Sequence, residues 1–209
     1  MSIESEVKRR GIERVVHFTT NVGFIGVCDS RLVKARSLLG EDDRLEHILK
    51  YNASDRSRDR EWHDYVNLSI SDINHEFFRW SKGNHDDVFW MCLEFSPEIL
   101  SHEGVLFTTT NNIYTGVKRN PGLDGFTDMF ADRVERWNGN IIKRKSGEAE
   151  NRTTDYFAEV LYPKQVSLDY LIRITPQHVE NYSEIMSIAY GCGVEGLEVS
   201  QDPSSIKWG

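Results

Sequence analysis

Glu159 is flanked by Tyr156, Phe157, Ala158, Val160 and Leu161, an apolar run closed by Pro163. The run predicts a short strand. A carboxylate on a strand loses hydration unless it faces a cleft or open water. Taken alone, the segment suits an edge-strand glutamate pointing at solvent. Fed by a long polar loop, residues 138–152, the same glutamate makes a catalytic edge on a rigid support. Such a group stabilises a developing cation or takes a proton from an incoming nucleophile. His17 lies on the β-branched and aromatic strand Arg14–Thr19, where it suits a hydrogen-bonded core histidine as well as a ligand or base. Arg56, Arg58 and Arg60 crowd the polar stretch Asn52–Glu61. That stretch reads as a solvated loop of mutually neutralising charge, or as a source of bidentate grips for a pyrophosphate.

These groups need elements to position them. The sequence predicts helices over 3–10, 21–28, 41–50, 74–81 and 123–134, one starting at Pro97, and one capped by Thr175–Pro176 and running to Tyr190 before Gly191. Strands are expected over 14–19, 65–70, 88–95, 105–109, 156–161, 165–174 and 194–199. Without regular β-α alternation, that order points to an α+β domain of mostly antiparallel sheets. No repeat or linker divides the 209 residues, so one domain over 1–209 is expected.

The formal charge of −8 excludes a protein that binds nucleic acid over its whole surface. Residues 118–152 nevertheless carry a local excess of +2, against −10 for the remainder. Three scattered cysteines and seven histidines show no metal-ligand spacing, so no metal is expected. The cysteines read as reduced thiols of a cytoplasmic protein, and no apolar run is long enough for a membrane span.

Four stretches in order resemble the DarT family, toxins that ADP-ribosylate DNA bases with NAD⁺: His17–Phe18–Thr19 with Asn21; Asp64–Ile70; Val105–Asn111 with Gly125–Phe130; and Thr154–Leu161. The resemblance covers about residues 12–174, and its Thr-Asp-x-x-Ala-Glu-Val-Leu segment is the most specific part. It implies split antiparallel sheets surrounded by helices, with an NAD⁺ cleft between the sheets. It further implies that His17 holds a ribose hydroxyl, that Thr19, Asn21 and Ser69 line the cofactor site, and that Arg58 or Arg56 offsets the diphosphate. Glu159 would stabilise the oxocarbenium ion and serve as general base, with Arg58 beside it as the second catalytic residue. Single-stranded DNA would be held by Lys143, Arg144, Lys145, Arg152 and a stacking Trp137. Leu68–Ser71 with Asn74 looks closer to the guanine-modifying branch than to the thymidine-modifying one. A cognate antitoxin that reverses the mark, a monomeric state and a role in phage defence are implied as well. Transfer to RNA or protein, plain NAD⁺ hydrolysis and a non-catalytic binding module are the competing readings.

Overall fold

The computed structural model describes residues 2–39, 61–83 and 88–208. The helix expected over 41–50 and the arginines Arg56, Arg58 and Arg60 lie outside these residues. The chain opens with helix α1 (Ile3–Arg10), capped by Ser2 and ended by left-handed Gly11. Strand β1 (Val15–Thr20) leads into α2 (Asn21–Ser30), whose first turn is capped by the Thr20 hydroxyl. At Gly23 a Cβ would lie 2.4 Å from the Thr19 hydroxyl, so a larger residue there would force that side chain to shift. The short β2 (Leu32–Lys34) precedes β3 (Tyr65–Ile70), α3 (His75–Lys82), β4 (Trp90–Phe95), β5 (Leu106–Thr108) and β6 (Arg119–Pro121). Then come α4 (Gly122–Asp128), β7 (Arg133–Glu135), β8 (Ile141–Lys143), β9 (Val160–Pro163), β10 (Gln165–Ser167), β11 (Leu171–Pro176) and α5 (Tyr182–Gly191).

Seven strands run in the order β11-β4-β1-β3-β9-β5-β6, and all their ladders are antiparallel. β10 pairs with β2, and β7 with β8. The large sheet is nearly two. β1 matches β4 over six residue pairs but β3 over only two, Val15↔Ile70 and Val16↔Ser69. Beyond Val16, β1 follows β4 and leaves β3. The main core gathers Val15, Phe24, Leu68, Leu93, Phe107, Phe126 and Val160, whereas Val16 faces a second cluster with Phe78, Trp90 and Cys92. Alternation along β1 therefore feeds two cores from opposite faces.

Several expected elements change length. The helix expected over 123–134 stops at Asp128, and the chain turns into β7 because Val134 is needed in the hairpin with β8. Thr175 and Pro176 end β11 instead of capping a helix, and the last helix begins at Tyr182. The strand expected at 194–199 contributes a single bridge, Ile174↔Val199. Position 159 precedes its strand, since β9 starts at Val160 and residues 155–158 form a turn. All three cysteines are free, with Cys28 and Cys92 buried. Among the described residues, no helix is long and apolar enough to cross a membrane.

The first sheet half is stapled by Glu94, a wholly buried carboxylate on β4. Arg14 donates to its Oε2 at 2.9 Å, Arg173 donates to both oxygens at 3.2 and 2.8 Å, and the Thr175 hydroxyl donates to Oε1. Arg173 follows the register shift in β11, so the ion pair restores order where the ladder slips. Burial alone pushes the Glu94 carboxyl up, but bonds from Arg173 and Thr175 and the charge of Arg14 hold it below the usual range. Its stabilising contribution is therefore present above the unfolded-state value and lost as pH falls through the lower folded value. Glu94→Ala, which leaves two guanidinium groups facing a cavity, is expected to cost about 3–5 kcal/mol. Urea denaturation at neutral pH checks this, and the difference between variant and wild type should shrink at strongly acid pH.

Candidate functional site

A cavity of about 570 Å³ opens where β1 parts from β3. That volume suits a small-molecule cofactor. His17, Thr19, Ser69 and Glu159 line it, as do Asn67, Asn112, Lys34, Arg36 and Trp62. Asn21 does not. Its backbone N–H bonds the Phe89 carbonyl, and the Thr20 side chain caps the helix that Asn21 begins. Asn21 opens helix α2, whose Gly23, Gly26 and Val27 do line the cavity, and its own Oδ1 is shut from solvent with no partner among the described residues.

Asn67 joins the two reactive side chains. Its main-chain carbonyl stands 3.0 Å from Nδ1 of His17, and its carboxamide nitrogen donates to Oε1 of Glu159 at 3.1 Å. A carbonyl only accepts, so Nδ1 of His17 carries the hydrogen and Nε2 is left as an acceptor. The register set by Val16↔Ser69 would place His17 opposite Leu68. The imidazole instead bonds one residue further along β3, filling the gap that the missing ladder leaves. Burial lowers the His17 pKa, only partly opposed by the Asn67 carbonyl, so the ring is neutral at neutral pH.

Glu159 is fixed from its main chain outward. Its N–H donates to the Thr108 hydroxyl at 3.0 Å, and its carbonyl accepts from the Thr108 N–H at 2.9 Å. The carboxylate's Oε2 accepts from the backbone N–H of Asn112 at 2.7 Å. The turn just before it hangs on Asp155, which is wholly buried. Arg136 reaches Asp155 bidentately, with Nε and Nη2 each at 2.8 Å, and the Thr110 hydroxyl donates at 2.6 Å. The Phe157 N–H closes the turn on the same carboxylate at 3.1 Å. Arg136 also lies about 5 Å from the rings of Tyr156 and Phe157. The rings of Phe157, Tyr114 and Trp137 continue outward in edge-to-face contacts.

None of the residues expected to meet DNA lines the cavity. Lys143 and Lys145 are exposed, while Trp137, 38% exposed, packs on Tyr114 beside the Glu159 turn. Arg144 spends its guanidinium within its own loop, on the carbonyls of Arg152 and Ala149 and the Thr154 hydroxyl. Arg152 pairs with Asp72 at 3.4 Å. Sequence reading misses Asn67, Asn112, Arg119, Arg136 and Asp155 as site residues, though Asn67 and Asp155 stand inside quoted motifs. Asn67 and Asn112 meet Glu159 from 92 and 47 positions away and Arg136 meets Asp155 from 19, so no local pattern signals these pairs. Arg36 is a further omission. It sits on the cavity wall with its Nη1 shut from solvent and unpartnered among the described residues. No cluster of metal-binding side chains occurs among the described residues.

A family model described as "DarT: ssDNA thymidine ADP-ribosyltransferase, DarT" matches residues 16–208. The chain belongs to this family. Its fold is similar to that of Thermus sp. 2.9 DarT in complex with carba-NAD⁺, at 12% identity and TM-score 0.65, covering 93% of this chain and 98% of that one. The same Thermus protein in complex with ADP-ribosylated ssDNA gives 13% identity and TM-score 0.63, covering 94% and 97%. Thermosipho africanus DarTG in complex with ADP-ribose gives 12% identity and TM-score 0.57, over 92% of this chain and 50% of that one. No curated protein sequence matches.

The Asp155 anchor makes a direct test of this geometry. Arg136→Ala strands a buried carboxylate and is expected to destabilise the fold by about 3–5 kcal/mol. Loss of near-ultraviolet circular dichroism from the Tyr114–Phe157 cluster should accompany the lower urea midpoint. A destabilisation below about 1 kcal/mol would show the pair to be solvated instead.

Proposed function

We propose that this chain transfers ADP-ribose from NAD⁺ to a base of single-stranded DNA. The observation that carries the reading is the cavity at the sheet split, with a neutral His17 and a doubly held Glu159 on its walls. NAD⁺ is the substrate this cavity suits. In the proposed reaction the bond between nicotinamide and the ribose anomeric carbon breaks, and nicotinamide leaves with the bonding pair. The anomeric carbon then carries oxocarbenium character, which the Glu159 carboxylate offsets. A base nitrogen supplies a new pair to that carbon and releases a proton, which Glu159 accepts. His17 takes a hydrogen bond from a ribose hydroxyl through Nε2. Thr19 and Ser69 contribute hydroxyls along the same wall.

Arg36 fits the diphosphate. It stands on the cavity wall, and a guanidinium there can pair with phosphate oxygens. Lys34, also on the wall, adds a second positive charge. Arg58, with Arg56 and Arg60 as alternatives, remains our second proposed source of charge for the same group. Lys143 and Lys145 are our phosphate contacts for DNA, with Trp137 as a stacking surface. Arg144 and Arg152 serve mainly to hold the loop that presents those lysines.

Thymidine is the accepting base we favour, in line with the matched family's description. The guanine reading rested on Leu68–Ser71 with Asn74. Ser71 donates to the Asn151 carbonyl, and the Asn74 side chain caps α3, so neither is free of structural duty. On the family resemblance, we also take the chain to be a cytoplasmic, monomeric toxin with a cognate antitoxin that removes the mark, and to act in phage defence.

Mixing the protein with NAD⁺ and single-stranded DNA, duplex DNA, RNA or no nucleic acid separates the competing activities by product mass. Modified single strand, with the mark on thymidine after digestion to nucleosides, is the expected result; a mark on guanosine would restore the other branch. Glu159→Ala should abolish modification while the protein stays folded. Wild-type rates from that variant would overturn the mechanism. Arg36→Ala should weaken NAD⁺ binding about tenfold or more, the usual cost of a hydrogen bond to a charged group. Nicotinamide riboside, which lacks the diphosphate, should bind both proteins alike in a calorimetric titration.

A further inference from the structure

We propose that Arg119 is a positioning residue for Glu159, acting through Asn112. The inference rests on the reading of Glu159 as the reacting carboxylate. Asn112 is almost wholly buried, and one guanidinium occupies both of its oxygens. Nε of Arg119 donates to Oδ1 of Asn112 at 2.5 Å, and Nη2 donates to the Asn112 main-chain carbonyl. Side chain and carbonyl are both tethered, which holds residue 112 in place while its N–H donates to Oε2 of Glu159 at 2.7 Å. A bond of that length to a carboxylate is charge-assisted and directional.

The tether has a rigid base. Arg119 stands opposite Thr108 in the β5–β6 ladder, and Thr108 is the residue that grips the Glu159 main chain. The ladder continues one step through the Thr109 N–H to the Lys118 carbonyl. Thus adjacent partners of one strand pair hold both ends of Glu159, the backbone through Thr108 and the carboxylate through Arg119 and Asn112. The opposite carboxylate oxygen is held from β3 by Asn67. The guanidinium also lies 5.0 Å from the ring of Trp62, a wall residue of the cavity, which keeps it from swinging outward. Only arginine offers two donors in a fixed fork that spans a side-chain and a main-chain oxygen of one residue. Lysine keeps the charge and loses the fork.

Arg119 touches neither the cavity's proposed contents nor the reacting atoms, so its effect should appear in turnover and not in cofactor affinity. Arg119→Ala and Arg119→Lys are each expected to lower kcat for DNA modification about 10- to 100-fold, the scale of a misplaced reacting group. KM for NAD⁺ should stay within about twofold. Residual NAD⁺ cleavage by Glu159→Gln should not fall further when Arg119→Ala is added, because the arginine would act through a group already removed. The backbone amide proton of Asn112 should move upfield in both Arg119→Lys and Glu159→Gln. Unchanged kcat, an equal loss in NAD⁺ affinity, or additive losses in the double variant would each overturn the proposal. Should Arg119→Ala fail to fold, Arg119→Lys carries the same comparison. A wild-type protein inactive on every nucleic acid would defeat the reading of Glu159 instead. The amide proton then decides for Arg119: movement in both variants upholds the tether, and movement in neither removes it.

Discussion

Strand β1 keeps two neighbours only as far as Val16, and the site depends on that parting. A continuous ladder between β1 and β3 would bring His17 against Leu68 and leave no room between the strands. Because β1 continues with β4 alone, its next residues face a cavity and not a neighbouring backbone. The open edge is costly in unpaired peptide groups. His17 offsets part of that cost by bonding the Asn67 carbonyl, which also fixes its tautomer. A structural need and a chemical one are met by the same contact.

A split sheet must be held by something other than its ladder, and buried charge does this twice. Glu94 staples β1, β4 and β11 through Arg14, Arg173 and Thr175 on one side of the parting. Asp155 does the corresponding work near β9, where Arg136 and Thr110 fasten the turn that delivers Glu159. Buried ion pairs contribute little net stability compared with packed apolar groups, but they fail badly when one partner is lost. Both pairs here stand where the regular pattern lapses, at a register shift in β11 and at the turn into β9. Geometry at those lapses is what they secure.

Electrostatics divide the molecule by region. Most of an acidic surface repels a polyanion, and screening over about 8 Å at physiological salt confines attraction to local patches. Lys34 and Arg36 put positive charge on the cavity wall, while exposed Lys143 and Lys145 lie on the β7–β8 side of the chain. The aromatic series from Phe157 through Tyr114 to Trp137 connects that side with the Glu159 turn.

Local pattern was enough for much of this protein. Apolar, aromatic and β-branched runs at Val15–Thr20 and Tyr65–Ile70, and the apolar run Trp90–Phe95, marked the central strands, and the order of elements marked an antiparallel α+β domain. From the residues alone His17 suited a core histidine and Glu159 a solvent-facing glutamate; the resemblance of the ordered motifs is what marked them as site residues. The start of β9 at Val160 was not legible, because Asp155 closes a turn on a partner 19 residues upstream that no local window contains. The end of α4 at Asp128 was set likewise by the hairpin that claims Val134. Only the tertiary structure decided that Asn67 bridges His17 and Glu159 and that Arg144 supports a loop. Periodicity reports which face of an element is buried, whereas a polar side chain's partner depends on which strands become neighbours, and that choice is made by the packing of the whole chain.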